Sequence, residues 1–280
     1  MSRALLHIHL AVLLFGVAGL FGQWLALPPV WIVLGRTLFA AGALGLVAAW
    51  RRESLWAQGR DRWWLLALGP LLAFHWVAFF AAIQQAGVAV ALLTFSAFPL
   101  FTTLLEALAL REQLHRRSLW LSLVILAGVL LIVPPFAVDE TTLRGGLWGL
   151  ASGASFALLA LLNRRQVARH SSRKVAFYQN LSGALVLLPL AGQWAVVPTL
   201  RDGALLLLLG VVFTGLSHTL FIGGMKEVRA RTAALIAALE PVYGIFAAWL
   251  LLGEVPGLRT LAGGALILGA SLAASLGAEG

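Results

Sequence analysis

Apolar residues in this chain do not alternate with polar ones at a helix or strand period. They come in nearly unbroken runs, separated by short clusters of arginine, glycine and proline. A helix crosses a bilayer's hydrocarbon core with about 20 apolar residues. Ten runs of that order can be drawn, at about 7–27, 30–50, 63–83, 88–110, 118–136, 145–162, 175–197, 203–225, 232–252 and 260–276. The connections leave no room for a soluble domain. The predicted fold class is an all-α integral membrane protein of ten transmembrane helices. The first run resembles a signal-peptide core, but its length and the further runs behind it predict a retained helix.

The pattern also repeats. Shifted by 142 residues, Pro99 falls on Pro241, Glu112 on Glu254 and Arg117 on Arg259. Each copy is an apolar helix with a central proline, a closing glutamate, a short turn and another apolar helix. A match at one fixed offset decides architecture before any local reading does. The offset carries five spans, an odd number, so the second half enters the membrane in the opposite sense. The expected organisation is two inverted five-helix repeats, residues 1–140 and 141–280. Many secondary transporters build alternating access around a midplane site in this way, although channels use repeats too.

Composition sharpens the picture. The chain is 61% hydrophobic and only 11% charged, against about 25% charged in ordinary soluble domains. A net charge of +9 would suggest nucleic acid on a soluble protein. Here the basic residues crowd into alternate connections. Sixteen lie at Arg3 and within 51–62, 111–117, 164–174 and 226–231, against three, Arg144, Arg201 and Arg259, on the other face. Lysine and arginine are retained on the cytoplasmic side, so both termini are expected in the cytoplasm, the protein in the inner (plasma) membrane, and no nucleic acid as partner. Tryptophans at 24, 31, 50, 63, 64, 120 and 194 lie near span ends, as in an interfacial aromatic belt. The chain has no cysteine, which excludes thiolate metal sites and cysteine nucleophiles. It has no phosphate-binding loop, no HExxH and no paired-aspartate motif, so no cofactor, no metal and no enzymatic role are expected.

Candidate chemistry lies in the polar residues that the spans must hide. Pro99 and Pro241 sit near mid-span and leave the carbonyls of Phe95 and Ala237 without their usual donors. They are candidate hinges, or simple kinks. Glu240 stands beside Pro241 at the midplane, where a carboxylate costs roughly 2.5–3.5 kcal/mol to insert. Glu106 lies about 10 Å along the helix from Pro99 at a rise of about 1.5 Å per residue. Arg36, inside span 2, needs a carboxylate, a carbonyl or an anionic substrate, or else snorkels to the surface. His75 and Trp76 occupy mid-span 3, and His218 is one position off the repeat image of His75. Trp148, Ser152 and Phe156 share a face of span 6, and Tyr178, Gln179 and Asn180 form a polar cluster in span 7. The predicted midplane pocket comprises His75, Trp76, Phe98, Trp148, Ser152 and Glu240. Tyr178, Asn180 and His218 are placed toward its cytoplasmic mouth, with Arg36 and Glu106 as candidate proton or anion partners. Aromatic walls with few charges predict hydrophobic or aromatic small-molecule substrates over strongly charged ones. For each residue, helix packing is the plainer alternative.

With these residues in view, the chain resembles the drug/metabolite transporter superfamily, and within it the EamA-type permeases. The resemblance is carried by Arg36, Phe74-His75-Trp76, Pro99 with Glu112, Leu220-Phe221, Glu240-Pro241 and Glu254, and it spans the whole chain. It implies a ten-helix inner-membrane exporter of amino acids or related metabolites, monomeric or dimeric, with a pocket between the halves. The four-helix multidrug members carry a glutamate in their first span and this chain has none there, which weighs against a glutamate-centred cationic-drug antiport. Open alternatives are a proton-coupled drug or cation exporter, a passive channel, and a membrane-embedded enzyme on lipid-linked substrates.

Overall fold

The computed structural model describes residues 2–110, 113–133, 139–193, 196–253 and 255–277. Glu112, Glu254 and Trp194 lie outside them. Among the described residues all regular structure is helical. The helices are α1 (Arg3–Ala18), α2 (Phe21–Trp24), α3 (Pro29–Trp50), α4 (Gly59–Phe95), α5 (Phe98–Leu110), α6 (Arg116–Ile132) and α7 (Glu140–Val167). They are followed by α8 (Ser172–Ala191), α9 (Leu200–Gly210), α10 (Ser217–Gly224), α11 (Ala230–Ala237), α12 (Glu240–Leu252) and α13 (Leu258–Leu276). Seven stretches are long and apolar enough to cross a membrane: Pro29–Trp50, Gly59–Gly87, Val90–Ala109, Glu140–Val167, Leu200–Gly224, Ala230–Leu251 and Leu258–Leu276. The apolar α1, at 16 residues, is shorter than these. Large apolar side chains such as Leu46, Leu108, Leu185 and Leu276 stay exposed, because hydrocarbon rather than water meets them. Trp50, Trp56, Trp63 and Trp120, near helix ends, are likewise exposed, as interfacial side chains would be.

Three kinds of irregularity interrupt the helices, and each has a local cause. In α4 the turn at Gly87 has φ 78° and ψ 166°, a conformation glycine adopts without a Cβ clash. It separates the third and fourth predicted spans with no loop between them. The chain breaks again at Ser96–Ala97 and at Ala238–Leu239, just before Pro99 and Pro241. A proline cannot donate to the carbonyl four residues back, so tighter turns take over: Ala97 N–H reaches Thr94 O at 3.3 Å and Leu239 N–H reaches Ile236 O at 3.0 Å. The third irregularity has no counterpart in the hydrophobic pattern. Residues Val211–Leu216 form a π-turn between α9 and α10, in which the Thr214 hydroxyl donates to Leu209 O, five residues back, at 2.8 Å.

Outside the spans, caps hold the helix starts. The Asp139 carboxylate accepts from Thr142 N–H at 2.8 Å to open α7. Hydrogen bonds from Thr142, and then Thr141, hold its pKa down to about 2. Thr199 and Asp202 form a reciprocal capping box on α9.

Helix crossings are set by small residues, which let backbones approach closely in a bilayer. A Cβ on Gly69 of α4 would stand 2.5 Å from Gly183 N and 2.6 Å from Gln179 O of α8. On Gly210, which ends α9, it would stand 2.5 Å from Phe39 Cβ and 2.9 Å from Arg36 O of α3. Overpacking of this kind costs about 1–3 kcal/mol or more. Gly69→Leu and Gly210→Leu are therefore both expected to lower the detergent melting temperature by several degrees and cut the folded yield. Wild-type melting in either variant would show that the crossing is looser than described.

Candidate functional site

Most of the ionisable side chains buried at mid-span meet at one cavity of about 60 Å³, between α1, α3, α4, α7, α10 and α12. Arg36, His75, Trp76, His218 and Glu240 all line it, with Phe15, Phe79, Phe80, Phe95 and Phe156. Such a volume holds a few waters at roughly 10–15 Å³ of this measure each, whereas metabolite pockets run to about 300–1,000 Å³.

Arg36 does not snorkel: it is only 6% exposed. Its guanidinium carbon lies 3.8 Å from the centroid of the Trp76 ring, and Nε donates to Thr214 Oγ1 at 3.1 Å. The π-turn thus presents a hydroxyl that accepts from the arginine while donating its own proton to Leu209 O. Glu240 lies in the first turn of α12, just after the break, where the helix N-terminus favours an anion. Among the described residues neither Arg36 nor Glu240 makes an ion pair within 4.0 Å. The cavity is left with a cation and a carboxylate that do not pair with each other.

The two histidines are held differently. His75 Nδ1 lies 3.0 Å from Ser152 O, and a carbonyl only accepts, so Nδ1 carries the proton and Nε2 is left as the acceptor. The Ser152 hydroxyl returns a hydrogen bond to His75 O at 3.0 Å. His75 packs against Phe156 and Phe95 at 5.0 and 5.6 Å between ring centroids. His218 meets Trp76 edge-on at 4.9 Å and Phe15 at 5.3 Å. Trp76 is the common wall, with Arg36 and His218 both packed on it.

The structure brings together His75, Trp76, His218, Glu240 and Arg36 from the predicted set. Others fall elsewhere. Ser152 stands behind His75 as its partner, and Phe98, 1% exposed, stacks behind Phe95 at 4.9 Å. Trp148 is 39% exposed beside Phe74, in an outer groove with Gln85 and Arg144. Residues four apart drift by about 40° around a helix of about 3.6 residues per turn, so Trp148, eight before Phe156, has turned off the inner face. Tyr178 accepts from Ala57 N–H at 3.2 Å, and Asn180 donates to Ala176 O in its own helix at 2.8 Å; neither lines the cavity. Glu106 is buried away from it between two arginines. Pro99 and Pro241 flank the breaks, and the hydroxyl of Thr103 donates to Pro99 O at 2.9 Å. Sequence reasoning did not place Phe15, Phe79, Phe80, Phe95 or Thr214 at the site. Only Phe95 had a signal, as the residue whose carbonyl Pro99 leaves unserved.

Hydrogen bonds to charged groups are worth about 1.5–3 kcal/mol. Thr214→Val is thus expected to lower the detergent melting temperature by several degrees by leaving Arg36 Nε without its acceptor, with Thr214→Ser close to wild type. Equal melting of both variants and wild type would show that the hydroxyl does not hold the arginine.

The sequence profile of the EamA-like transporter family matches this chain twice, over residues 2–133 and 143–276. The pseudopaline exporter CntI of Pseudomonas aeruginosa is 32% identical over 250 residues, 89% of this chain and 87% of that protein. The S-adenosylmethionine uptake transporter of Rickettsia bellii is 29% identical over 204 residues, 73% of this chain and 69% of its own. A solved crystal structure superposes with a TM-score of 0.85 at 24% identity, over 100% of this chain and 98% of the other, which establishes the likeness of fold. Bilayer-length helices, a polar cavity between them and the matched profile agree: the chain belongs to the EamA-like transporter family and is a multi-pass membrane transporter of a small molecule.

Proposed function

We propose that this protein is a secondary transporter that exports small zwitterionic metabolites, amino acids or close relatives, across the plasma membrane. The observation that carries this reading is the pair Arg36 and Glu240, facing one aromatic-walled cavity without pairing. Unpaired charges at membrane depth are costly and mark substrate pathways. A ligand bearing a carboxylate and an ammonium satisfies both, and an apolar side chain suits Trp76 and the phenylalanines. The pseudopaline exporter and the S-adenosylmethionine transporter are named for opposite directions; export is favoured here by the resemblance to amino-acid exporters.

Alternating access is read as rocking of two inverted five-helix halves, ten spans in all, with both termini cytoplasmic. Helix packing supports it. Exchanging each span with the one five later turns α7 on α4 and α5 into α1 on α10 and α12, and α8 on α4 into α3 on α9. The pairs α3–α8 and α6–α13 exchange into themselves. In the last, a Cβ on Gly128 would stand 2.8 Å from Ile267 Cγ1 and one on Gly263 2.8 Å from Ile132 Cγ1. That reciprocal reach fits two antiparallel helices that cross at their glycines.

A proton-coupled exporter of drugs or cations is the second reading, favoured by one carboxylate and two histidines in the same cavity. Proteoliposomes distinguish the two. Radiolabelled aromatic amino acids should move with saturation, and their decarboxylated and N-acetylated analogues should compete at least about tenfold less well, each having lost one charged contact. Transport of the amines alone, driven by a pH gradient, would overturn the zwitterion reading in favour of the second.

A further inference from the structure

Beyond the cavity, the strongest unassigned feature is a buried ion triad toward the arginine-rich face. Glu106 of α5 is 1% exposed. Its Oε1 accepts from Arg164 Nη1 of α7 at 3.3 Å and its Oε2 from Arg231 Nη1 of α11 at 3.0 Å. One helix of the first half is thereby tied to two helices of the second. Breaking such a buried set leaves a charge uncompensated, so the tie resists separation far more than an exposed pair does. The repeat offset carries Glu106 onto Ala248, and carries Arg164 and Arg231 back onto Gly22 and Ala89. None of these can form an ion pair, so the repeat positions of the three residues carry no equivalent tie.

We propose that Glu106, Arg164 and Arg231 form a latch that holds the arginine-rich side of the central cavity shut, so that the resting protein opens toward the opposite side. This rests on the reading of alternating access between two halves. The latch sits where α5 packs on α7 and α11, and opening a route from the arginine-rich face at that seam requires Glu106 to part from Arg231. Arg164, with a side chain 34% exposed against 9% for Arg231, is the arm that water reaches first. Thr102, one turn from Glu106 on the same face and 0% exposed, lies between the latch and the aromatic wall.

The absence of cysteine makes a single-cysteine test clean. Thr102→Cys reports opening of the latch, and Val129→Cys, 1% exposed in the α6–α13 seam, reports loss of fold. Both are probed with a membrane-impermeant maleimide from the arginine-rich face, in otherwise wild-type protein and with Glu106→Gln added. We expect Thr102→Cys to be protected alone and to label about tenfold faster or more with Glu106→Gln, as a population shift toward the open state requires, while Val129→Cys stays protected. Arg164→Met, which removes the more exposed arm, should raise Thr102→Cys labelling by a smaller factor and serves if Glu106→Gln does not fold. Unchanged labelling in these variants overturns the latch. So does an equal rise at both reporters, which would make Glu106 a folding group. If wild type fails to move zwitterions yet labelling rises as expected, the substrate reading falls and the latch stands.

Discussion

Arg36→Ala should abolish transport of carboxylate-bearing substrates while leaving the protein folded. The guanidinium is held flat on Trp76 and tied to Thr214 through Nε, which leaves its Nη fork to pair with a carboxylate in the cavity. A desolvated pairing of this kind is worth about 2–5 kcal/mol, so apparent affinity should fall at least ~30-fold. The protein should still fold, with some loss of stability: Thr214 keeps its bond to Leu209 O, but Glu240 is left without a cation across the cavity. Arg36→Lys should recover little, since an ammonium neither forks nor stacks and lacks the Nε donor. Binding by tryptophan fluorescence and melting in detergent, measured on the same preparations, check both halves of this expectation. A variant that binds as wild type would return Arg36 to a packing role within span 2.

The second large effect concerns charge balance. Glu240→Gln should also stop transport of zwitterions, because the ammonium of such a substrate would lose its partner. It should destabilise the protein as well, since Arg36 then has no carboxylate across the cavity. Neutralising both in Arg36→Gln/Glu240→Gln should then restore melting toward wild type without restoring transport. Groups that share a cavity couple by about 0.5–3 kcal/mol in such cycles. The discriminating result is the sign. If the double variant is no more stable than the sum of the singles predicts, the two charges do not sense each other and the single-ligand reading of the cavity fails. If it transports, the charges are not substrate contacts.

The locations of the helices were largely legible in the sequence, because bilayer insertion responds to hydrophobicity summed over about 20 residues. Interruption at Pro99 and Pro241 was legible for a similarly local reason: a missing N–H acts on its own helix. His75, Trp76, His218 and Glu240 were recognisable as cavity residues because each is polar or amphiphilic at a depth where lipid excludes it. Trp148, Tyr178 and Asn180 were not placed correctly by that rule. Trp148 has rotated toward the outer groove, while Tyr178 and Asn180 are engaged by backbone groups outside the cavity. Each spends its hydrogen bond on backbone close by, so neither is turned toward the cavity.

From sequence alone came the membrane class, the internal repeat and a short list of residues that hydrocarbon cannot accept. Only the tertiary structure decided which of them meet. Arg36 reaches Thr214 across 178 positions of sequence, and Glu106 reaches Arg231 across 125. Both contacts depend on how each helix is rotated about its axis and how closely its neighbour can approach, and at Gly69, Gly128, Gly210 and Gly263 that approach is set by backbone against backbone. Hydrophobicity is a property of one segment and is written along it. Pairing is a property of two segments, and it exists only once their faces have been turned toward each other.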